Sequence, residues 1–192
     1  MSMKGFSIKT EIEEYDTFEQ YAAQAGLGPE DLVLCGEHTY DKYVAPLSLG
    51  TQTLFREKYG KGEPTDGMVD AILDALREKE FNRIIAIGGG TVVDIAKVVA
   101  VAGKEDKVDD LYDHVDSLKK VHPLVIIPTT CGTGSEVTNI SVINRVSKGV
   151  KMGLASSAML ADKAVMITDM LDSLPYKIFA TSSIDAMVHS VE

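Results

Sequence analysis

Residues 83–94 read Arg-Ile-Ile-Ala-Ile-Gly-Gly-Gly-Thr-Val-Val-Asp, an apolar run that stops at three glycines and leads into a second apolar stretch. The first run has no polar alternation, which is typical of a strand buried on both faces in a parallel sheet. From Val92 to Val99, apolar residues occupy nearly every side of a helical pattern, so this stretch predicts a well-buried helix. A buried strand, a glycine turn and a buried helix in succession predict an α/β fold.

The same alternation extends along the chain. Apolar residues at helical spacing follow Thr65 and Asp66, either of which can cap the start of a helix. Further buried strands are predicted at residues 31–35, 124–127 and 164–167. We therefore expect a parallel sheet with right-handed crossovers.

Two segments depart from this alternation. Residues 104–122 are rich in Asp and Lys and predict a surface loop with a helical turn. Residues 140–144 and 150–154 predict the two strands of a hairpin that turns at residues 145–149.

The composition excludes several classes of partner. At 192 residues the chain is one domain, or one domain and a piece of another. Its 19 basic and 29 acidic residues give a net charge of -10, and no cluster of Lys and Arg is present to neutralise phosphates. We therefore expect neither nucleic acid nor a membrane as a partner.

Three features favour the cytoplasm. Cys35 and Cys131 lie far apart without disulfide spacing, which favours a reducing compartment. The first residues lack the apolar run of a signal peptide, and no stretch reaches the ~20 apolar residues of a membrane span.

Two loops that follow predicted strands carry chemistry. Gly88–Asp94 opens a helix, where free N–H groups attract a diphosphate; the alternative is a plain tight turn. Pro128–Glu136 holds several hydroxyls that can donate to phosphate or ribose oxygens, or cap the next helix. Two such loops at successive strand ends predict a dinucleotide across the sheet edge.

A third feature is the pair Asp185 and His189, four residues apart on one helix face. A carboxylate and an imidazole at this spacing can bind one transition metal. From spacing alone an ordinary hydrogen bond or ion pair is the better interpretation, because a catalytic metal usually needs about three or four protein ligands.

These features in this order resemble the iron-containing (group III) alcohol dehydrogenase family, whose pattern is GGGSxxD, then PTTxGTGSE, then DAxxH. Here they stand at Gly88–Asp94, Pro128–Glu136 and Asp185–His189. Within that family, residues 57–64 and 174–177 look most like the 4-hydroxybutyrate dehydrogenase branch. Such enzymes interconvert succinate semialdehyde and 4-hydroxybutyrate with NAD.

The resemblance implies a division of the chain. Residues 1–172 would form a Rossmann-like, dehydroquinate synthase-like α/β domain, and residues 173–192 would begin an all-helical metal-binding domain that is otherwise missing. We therefore expect a truncated half that is inactive alone. The alternative is a stand-alone nucleotide-binding module whose metal site is vestigial or completed by a partner. A sugar-phosphate lyase or polyol dehydrogenase of the same fold is disfavoured by the intact Pro128–Glu136 loop.

The resemblance also implies site residues but no certain catalytic side chain. Asp185 and His189 would be two of four metal ligands, for Fe2+ or alternatively Zn2+. A small alcohol or aldehyde would be the substrate, and a homodimer is an expected assembly. The cofactor-binding residues would be Glu37, Gly88, Gly89, Gly90, Thr91, Asp94, Thr129, Thr130, Thr133, Ser135 and Lys151.

Three positions depart from the family pattern. Ser183 stands where many members have a Gly two residues before Asp185. Thr91 replaces the usual Ser and keeps its hydroxyl. Gly36 occupies the place where NAD-preferring members carry an Asp for the ribose 2′-OH, with Glu37 beside it. Glu37 would favour NAD by repelling a 2′-phosphate, and NADP stays an alternative.

Overall fold

A computed structural model describes residues 8–172 and 174–191, without the side chain of His189. The strands in this part of the chain are β1 (Glu11–Tyr15), β2 (Asp31–Cys35), β3 (Gln52–Phe55), β4 (Arg83–Gly88), β5 (Leu124–Pro128), β6 (Ile140–Arg145), β7 (Val150–Ala155) and β8 (Lys163–Ile167). The α-helices are α1 (Phe18–Ala25), α2 (Glu37–Thr39), α3 (Asp66–Leu76), α4 (Gly90–Val99), α5 (Val108–Asp113) and α6 (Tyr176–Val191).

Six strands form one parallel sheet in the order β1-β8-β5-β4-β2-β3. Ile84 of β4 pairs with Leu32 of β2 on one side and with Leu124 of β5 on the other. Strands β6 and β7 form a separate antiparallel hairpin. The predicted α/β class, the four buried strands and the hairpin are therefore confirmed.

Both faces of the sheet are covered, which explains the unbroken apolar runs. Successive residues of each central strand enter opposite cores: Ile84 packs toward α3 and α4, whereas Ile85 packs with α1 and the segment after β2. Since side chains alternate across a strand, a strand between two cores needs apolar residues at every position. Strands β2, β4 and β5 are buried accordingly.

The two edge strands were not predicted. Strand β1 reads Glu-Ile-Glu-Glu-Tyr and is largely exposed, while β3 has only four residues. An edge strand is paired on one side only, and charged residues there discourage pairing with another chain. Neither strand carries the long apolar run that marks a central strand.

The segment 104–122 contains α5 and a short 3-10 turn, Val115–Ser117, in agreement with a loop that has a helical turn.

The last helix begins at Tyr176. The carbonyl of Pro175 accepts hydrogen bonds from the amides of Ile178 and Phe179, so Pro175 precedes the helix. Ser173 lies outside the described residues, and the domain boundary at 172/173 stays a prediction. Among the helices described, none has the length and apolar character needed to cross a membrane.

Candidate functional site

The order of the strands makes the carboxyl ends of β2 and β4 the expected position for a ligand. These strands are neighbours, but the chain leaves β2 toward β3 and leaves β4 toward β5, in opposite directions across the sheet. In open α/β sheets, ligands bind in the crevice at such a switch point. Glu37 follows β2, and the glycine turn follows β4, so both border this crevice.

The glycine turn presents an uncapped helix end. Gly89 is the N-cap of α4 and offers no side chain to the helix, and its carbonyl accepts from the amides of Val92 and Val93 at 2.9 and 3.1 Å. The amides of Gly90 and Thr91 precede these first intrahelical bonds. A Cβ built on Gly90 meets no protein atom within 4 Å, so the turn is open above this residue. An open, uncapped helix N-terminus attracts a phosphate.

Gly88 has a different reason to be glycine. It is the buried last residue of β4, and a Cβ there would lie 2.6 Å from Cγ2 of Val92. The close packing of strand against helix thus excludes a side chain at this position. Gly88 was expected to contact the cofactor. In the structure, the absence of a side chain at Gly88 lets β4 and α4 pack closely beneath the glycine turn.

The second loop lies directly beside the first. Pro128 pairs with Gly88 in the sheet, and the amide of Thr129 donates to the carbonyl of Gly88 at 3.1 Å. A Cβ on Gly89 would come within 3.3 Å of the Thr130 methyl group. The two loops therefore form one surface, as expected from their positions after adjacent strands.

The remaining hydroxyls of the second loop bond to one another. Thr133 Oγ1 and Ser135 Oγ are 3.0 Å apart, with Thr133 exposed. Thr129 lines a small cleft of about 140 Å³ with His38 and Thr39, the residues that follow the exposed Glu37. The cleft thus brings Thr129 beside the residues that directly follow Glu37.

Lys151 reaches the site from the hairpin. Its Nζ lies 2.7 Å from Oε1 of Glu63, and both side chains are exposed. The neighbouring carbonyl of Gly62 accepts from Thr91 Oγ1 at 3.4 Å. The loop that carries Gly62 and Glu63 therefore connects the glycine turn with the hairpin lysine.

Asp94, which the resemblance places among the cofactor-binding residues, contacts the hairpin. Its carboxylate accepts a hydrogen bond from the amide of Val142, and its carbonyl accepts from Ser141 Oγ at 3.0 Å. Burial raises the pKa of Asp94 to about 6, opposed by the nearby ammonium of Lys97. Asp94 therefore joins α4 to β6.

Sequence reasoning missed Lys97. This lysine is fully buried, and burial lowers its pKa to about 8 against the attraction of Asp94 and Glu136. Its Nζ donates to Thr138 Oγ1 at 2.9 Å and to the carbonyl of Ile140 at 2.7 Å. The available signal was a single lysine inside a helix that is otherwise apolar on nearly all sides.

Beyond the second loop, a cleft of about 260 Å³ lies between β5, the end of β8 and the loop itself, with Thr130, Cys131, Gly132 and Glu136 among its lining residues. Cys131 Sγ is 3.6 Å from Ser182 Oγ and 3.7 Å from Ser183 Oγ on α6. These hydroxyls, Ser182 first, lower the pKa of the Cys131 thiol. The second loop thus packs against the helix that carries Asp185 and His189.

The two expected metal ligands meet only part of a metal's requirement. Asp185 lies exposed on α6, and His189 follows one turn later, with its side chain outside the description. The part of the chain that the structure describes contains no group of three or more His, Cys, Asp or Glu side chains arranged to hold a metal. Two ligands do not close a catalytic site.

Comparisons with known proteins agree with this architecture. Residues 10–168 match the model of the family described as iron-containing alcohol dehydrogenase. Over 190 residues the chain is 40% identical to 4-hydroxybutyrate dehydrogenase of Clostridium kluyveri, covering 99% of this chain and 51% of that protein. The chain thus spans about half the length of this curated relative.

Solved structures show the same fold. An iron-containing alcohol dehydrogenase from Thermotoga maritima superposes with a TM-score of 0.79 at 28% identity, covering 98% of this chain and 54% of that one. Sulfoacetaldehyde reductase from Bifidobacterium kashiwanohense, solved in complex with NAD+, gives a TM-score of 0.80 at 23% identity. That alignment covers 96% of this chain and 51% of the reductase.

Proposed function

Because this chain belongs to the iron-containing alcohol dehydrogenase family, we propose that its sheet edge binds NAD for the oxidation and reduction of a small alcohol and its aldehyde. The observation that carries the proposal is the open helix end at Gly90. There, the amides of Gly90 and Thr91 precede the first intrahelical bonds, and a Cβ built on Gly90 meets nothing within 4 Å outside its own helix and its chain neighbours. The fold and the switch point favour the same position.

Each residue has a proposed part in holding the cofactor. The amides of Gly90 and Thr91 donate to the diphosphate at the helix end. The hydroxyls of Thr130 and Thr133 lie on the adjoining loop, where they can donate to phosphate or ribose oxygens. Lys151 contributes a positive charge from the hairpin. When NAD binds, the Lys151 ammonium would leave Glu63 and contact the cofactor instead.

Glu37 is the proposed specificity residue. It follows β2 at the edge of the crevice and is exposed. A carboxylate there accepts a hydrogen bond from a ribose 2′-OH and repels a 2′-phosphate. We therefore expect NAD to bind more tightly than NADP.

The proposed substrate pair is 4-hydroxybutyrate and succinate semialdehyde. Its support is the 40% identity to 4-hydroxybutyrate dehydrogenase over nearly the whole chain. Asp185 and His189 are proposed as two ligands of iron, which when bound would polarise the substrate oxygen as a Lewis acid. The chain's own contribution is to orient the cofactor and to exclude water from the crevice.

A steric block at Gly90 tests the cofactor site. Gly90→Val places a branched side chain where a built Cβ meets nothing within 4 Å outside its own helix and chain neighbours. We therefore expect the fold to be retained while the diphosphate is excluded. Gly67→Val is the matched control, because Gly67 also lies in the first turn of a helix and its built Cβ also meets nothing within 4 Å. NADH and NADPH are titrated into all three proteins and followed by nicotinamide fluorescence.

We expect the parent and Gly67→Val to bind NADH alike, with NADPH weaker. Gly90→Val should bind at least about tenfold more weakly, since loss of one charge-assisted hydrogen bond already corresponds to about 1.5–3 kcal/mol. Equal binding by the two variants would show that NADH does not use the glycine turn. Absence of binding by the folded parent, with circular dichroism intact, would refute the cofactor proposal.

A further inference from the structure

Lys97 joins the two halves of the proposed cofactor site. It lies in α4, two turns after the glycine turn, and has no exposed surface. A buried ammonium is unfavourable unless its donors are satisfied. Lys97 donates to Thr138 Oγ1 and to the carbonyl of Ile140, both in the segment that follows the second loop.

The bond to Thr138 extends back into the loop. Thr138 Oγ1 itself donates to the carbonyl of Ser135 at 3.2 Å, so the ammonium, the hydroxyl and the loop carbonyl form a chain of hydrogen bonds. The negative groups that act on Lys97 are Asp94 on its own helix and Glu136 on the facing segment. Both attract the ammonium and reinforce the same contact.

At its far end this segment is held by the hairpin, where Ile140 pairs with Ala155 and the carbonyl of Asn139 accepts from the amide of Ser156. The turn at its start is held by local bonds. Residues Ser135–Val137 form a single 3-10 turn, in which the amides of Val137 and Thr138 donate to the carbonyls of Gly134 and Ser135, each three residues earlier. A short turn of this kind has poorer hydrogen-bond geometry than an α-helix. A buried cation that reaches across from α4 therefore supplies a long-range restraint that the turn lacks.

We propose that Lys97 is a positioning residue whose ammonium, through Thr138, fixes the hydroxyl loop relative to the glycine turn so that both reach one cofactor. The inference rests on the proposed function for its consequence, NAD binding. Its structural part, restraint of residues 135–140 by α4, is measurable without any cofactor. Lys97 lies two turns beyond Gly90, and its ammonium would act on the cofactor site through its bonds to Thr138 and Ile140.

The test removes the hydroxyl partner and then restores it. Thr138→Val keeps the shape of the side chain and deletes both of its hydrogen bonds, whereas Thr138→Ser keeps the hydroxyl. Lys97→Met removes the ammonium and keeps an unbranched side chain of similar reach. Hydrogen exchange of the Val137 and Thr138 amides and NADH titration are measured on the parent and on each variant, with circular dichroism as the check of folding.

We expect Thr138→Val to accelerate exchange of these two amides and to weaken NADH binding, each roughly tenfold, as for loss of a hydrogen bond to a charged group. Thr138→Ser should restore both values to within about threefold of the parent, since the charge-assisted bond is retained. Lys97→Met should resemble Thr138→Val; if it does not fold, the Val and Ser pair still decides the matter.

Three results would overturn the inference. Parent-like exchange in Thr138→Val would show that the ammonium does not restrain the loop. Faster exchange with unchanged NADH affinity would show that the restraint does not position the loop for the cofactor. Failure of Thr138→Ser to rescue would assign the effect to packing. If the parent binds no NADH, the proposed function and this consequence fail together, while exchange still reports on the restraint.

Discussion

Gly132 is the position where a single methyl group should have the largest local effect. A Cβ there would lie 2.3 Å from the carbonyl oxygen of Ser182 and 3.2 Å from the Cβ of Ala186, both on α6. The backbone oxygen belongs to a helix and cannot turn aside as a flexible side chain would. Gly132 also has φ of 122°, which residues with a Cβ rarely adopt.

Two costs therefore add in Gly132→Ala. The unfavourable backbone conformation costs about 1–3 kcal/mol. Overpacking against α6 costs a further 1–3 kcal/mol or so. Gly134→Ala is the matched control, because Gly134 has φ of 63° and its built Cβ has its nearest neighbour, Val137 Cγ2, at 4.0 Å. The control should lose only the conformational part, about 1–2 kcal/mol.

Urea unfolding followed by circular dichroism gives the free energy of unfolding for both variants. We expect Gly132→Ala to be less stable than Gly134→Ala by about 2 kcal/mol. The clash can also be relieved if α6 separates from the loop. Hydrogen exchange of residues 176–191 detects this outcome, since the helix amides would then exchange faster in Gly132→Ala alone.

Equal stability of the two variants, with unchanged exchange in α6, would refute the reasoning. It would mean that the second loop and α6 do not pack as closely as the 2.3 Å approach requires. Because α6 carries Asp185 and His189, that result would also separate the proposed metal ligands from the cofactor loop.

Two further predictions concern charge. Asp94→Asn keeps an oxygen that can accept a hydrogen bond from the amide of Val142. In the parent, the folded-state pKa of Asp94 is raised to about 6, so protonation of Asp94 stabilises the folded protein fully below about pH 4. This stabilisation is lost as the pH rises through 6. The variant should therefore be more stable than the parent by about 2 kcal/mol at pH 7.5 and by little at pH 4 in urea unfolding, and parallel pH curves would contradict this. Arg83→Met removes the partner of the buried Asp31, whose carboxylate receives Nε and Nη2 of Arg83 at 2.8 and 3.0 Å. It should lower the melting temperature through a loss of about 3 kcal/mol, against less than about 1 kcal/mol for Arg77→Met, because the partner of Arg77, Asp74, is half exposed. Comparable losses would show that burial of Asp31 does not matter.

The sequence predicted the central part of the fold because physical constraints there are strict. Strands β2, β4 and β5 lie between two cores, so every residue must be apolar and the pattern is plain. The hairpin was predicted from its turn, and the helix cap at Thr65 is confirmed by the hydrogen bond that its side chain accepts from Met68. The edge strands β1 and β3 were not predicted because solvent exposure permits charged and polar residues in them.

The site was predictable in outline and not in its contacts. Adjacent strand ends place the two loops together, which the order of motifs in the chain anticipated. Spacing alone does not tell that the carboxylate of Asp94 accepts from Val142 or that Lys97 reaches Ile140, because these contacts join residues up to 48 positions apart. Such pairs depend on how the hairpin folds over α4.

Because the six strands are parallel, the candidate cofactor loops lie at the carboxyl ends of the strands and the turns before the strands lie at the opposite end of the sheet. All candidate cofactor residues of the loops follow carboxyl ends, whereas the Arg83–Asp31 pair and the turn at residues 78–80 lie at the other edge. A six-residue strand such as β4 is about 20 Å long. Immobilisation through Glu78, Lys79 or Glu80, which are exposed, would therefore orient the protein on a sensor surface with its crevice facing the solution.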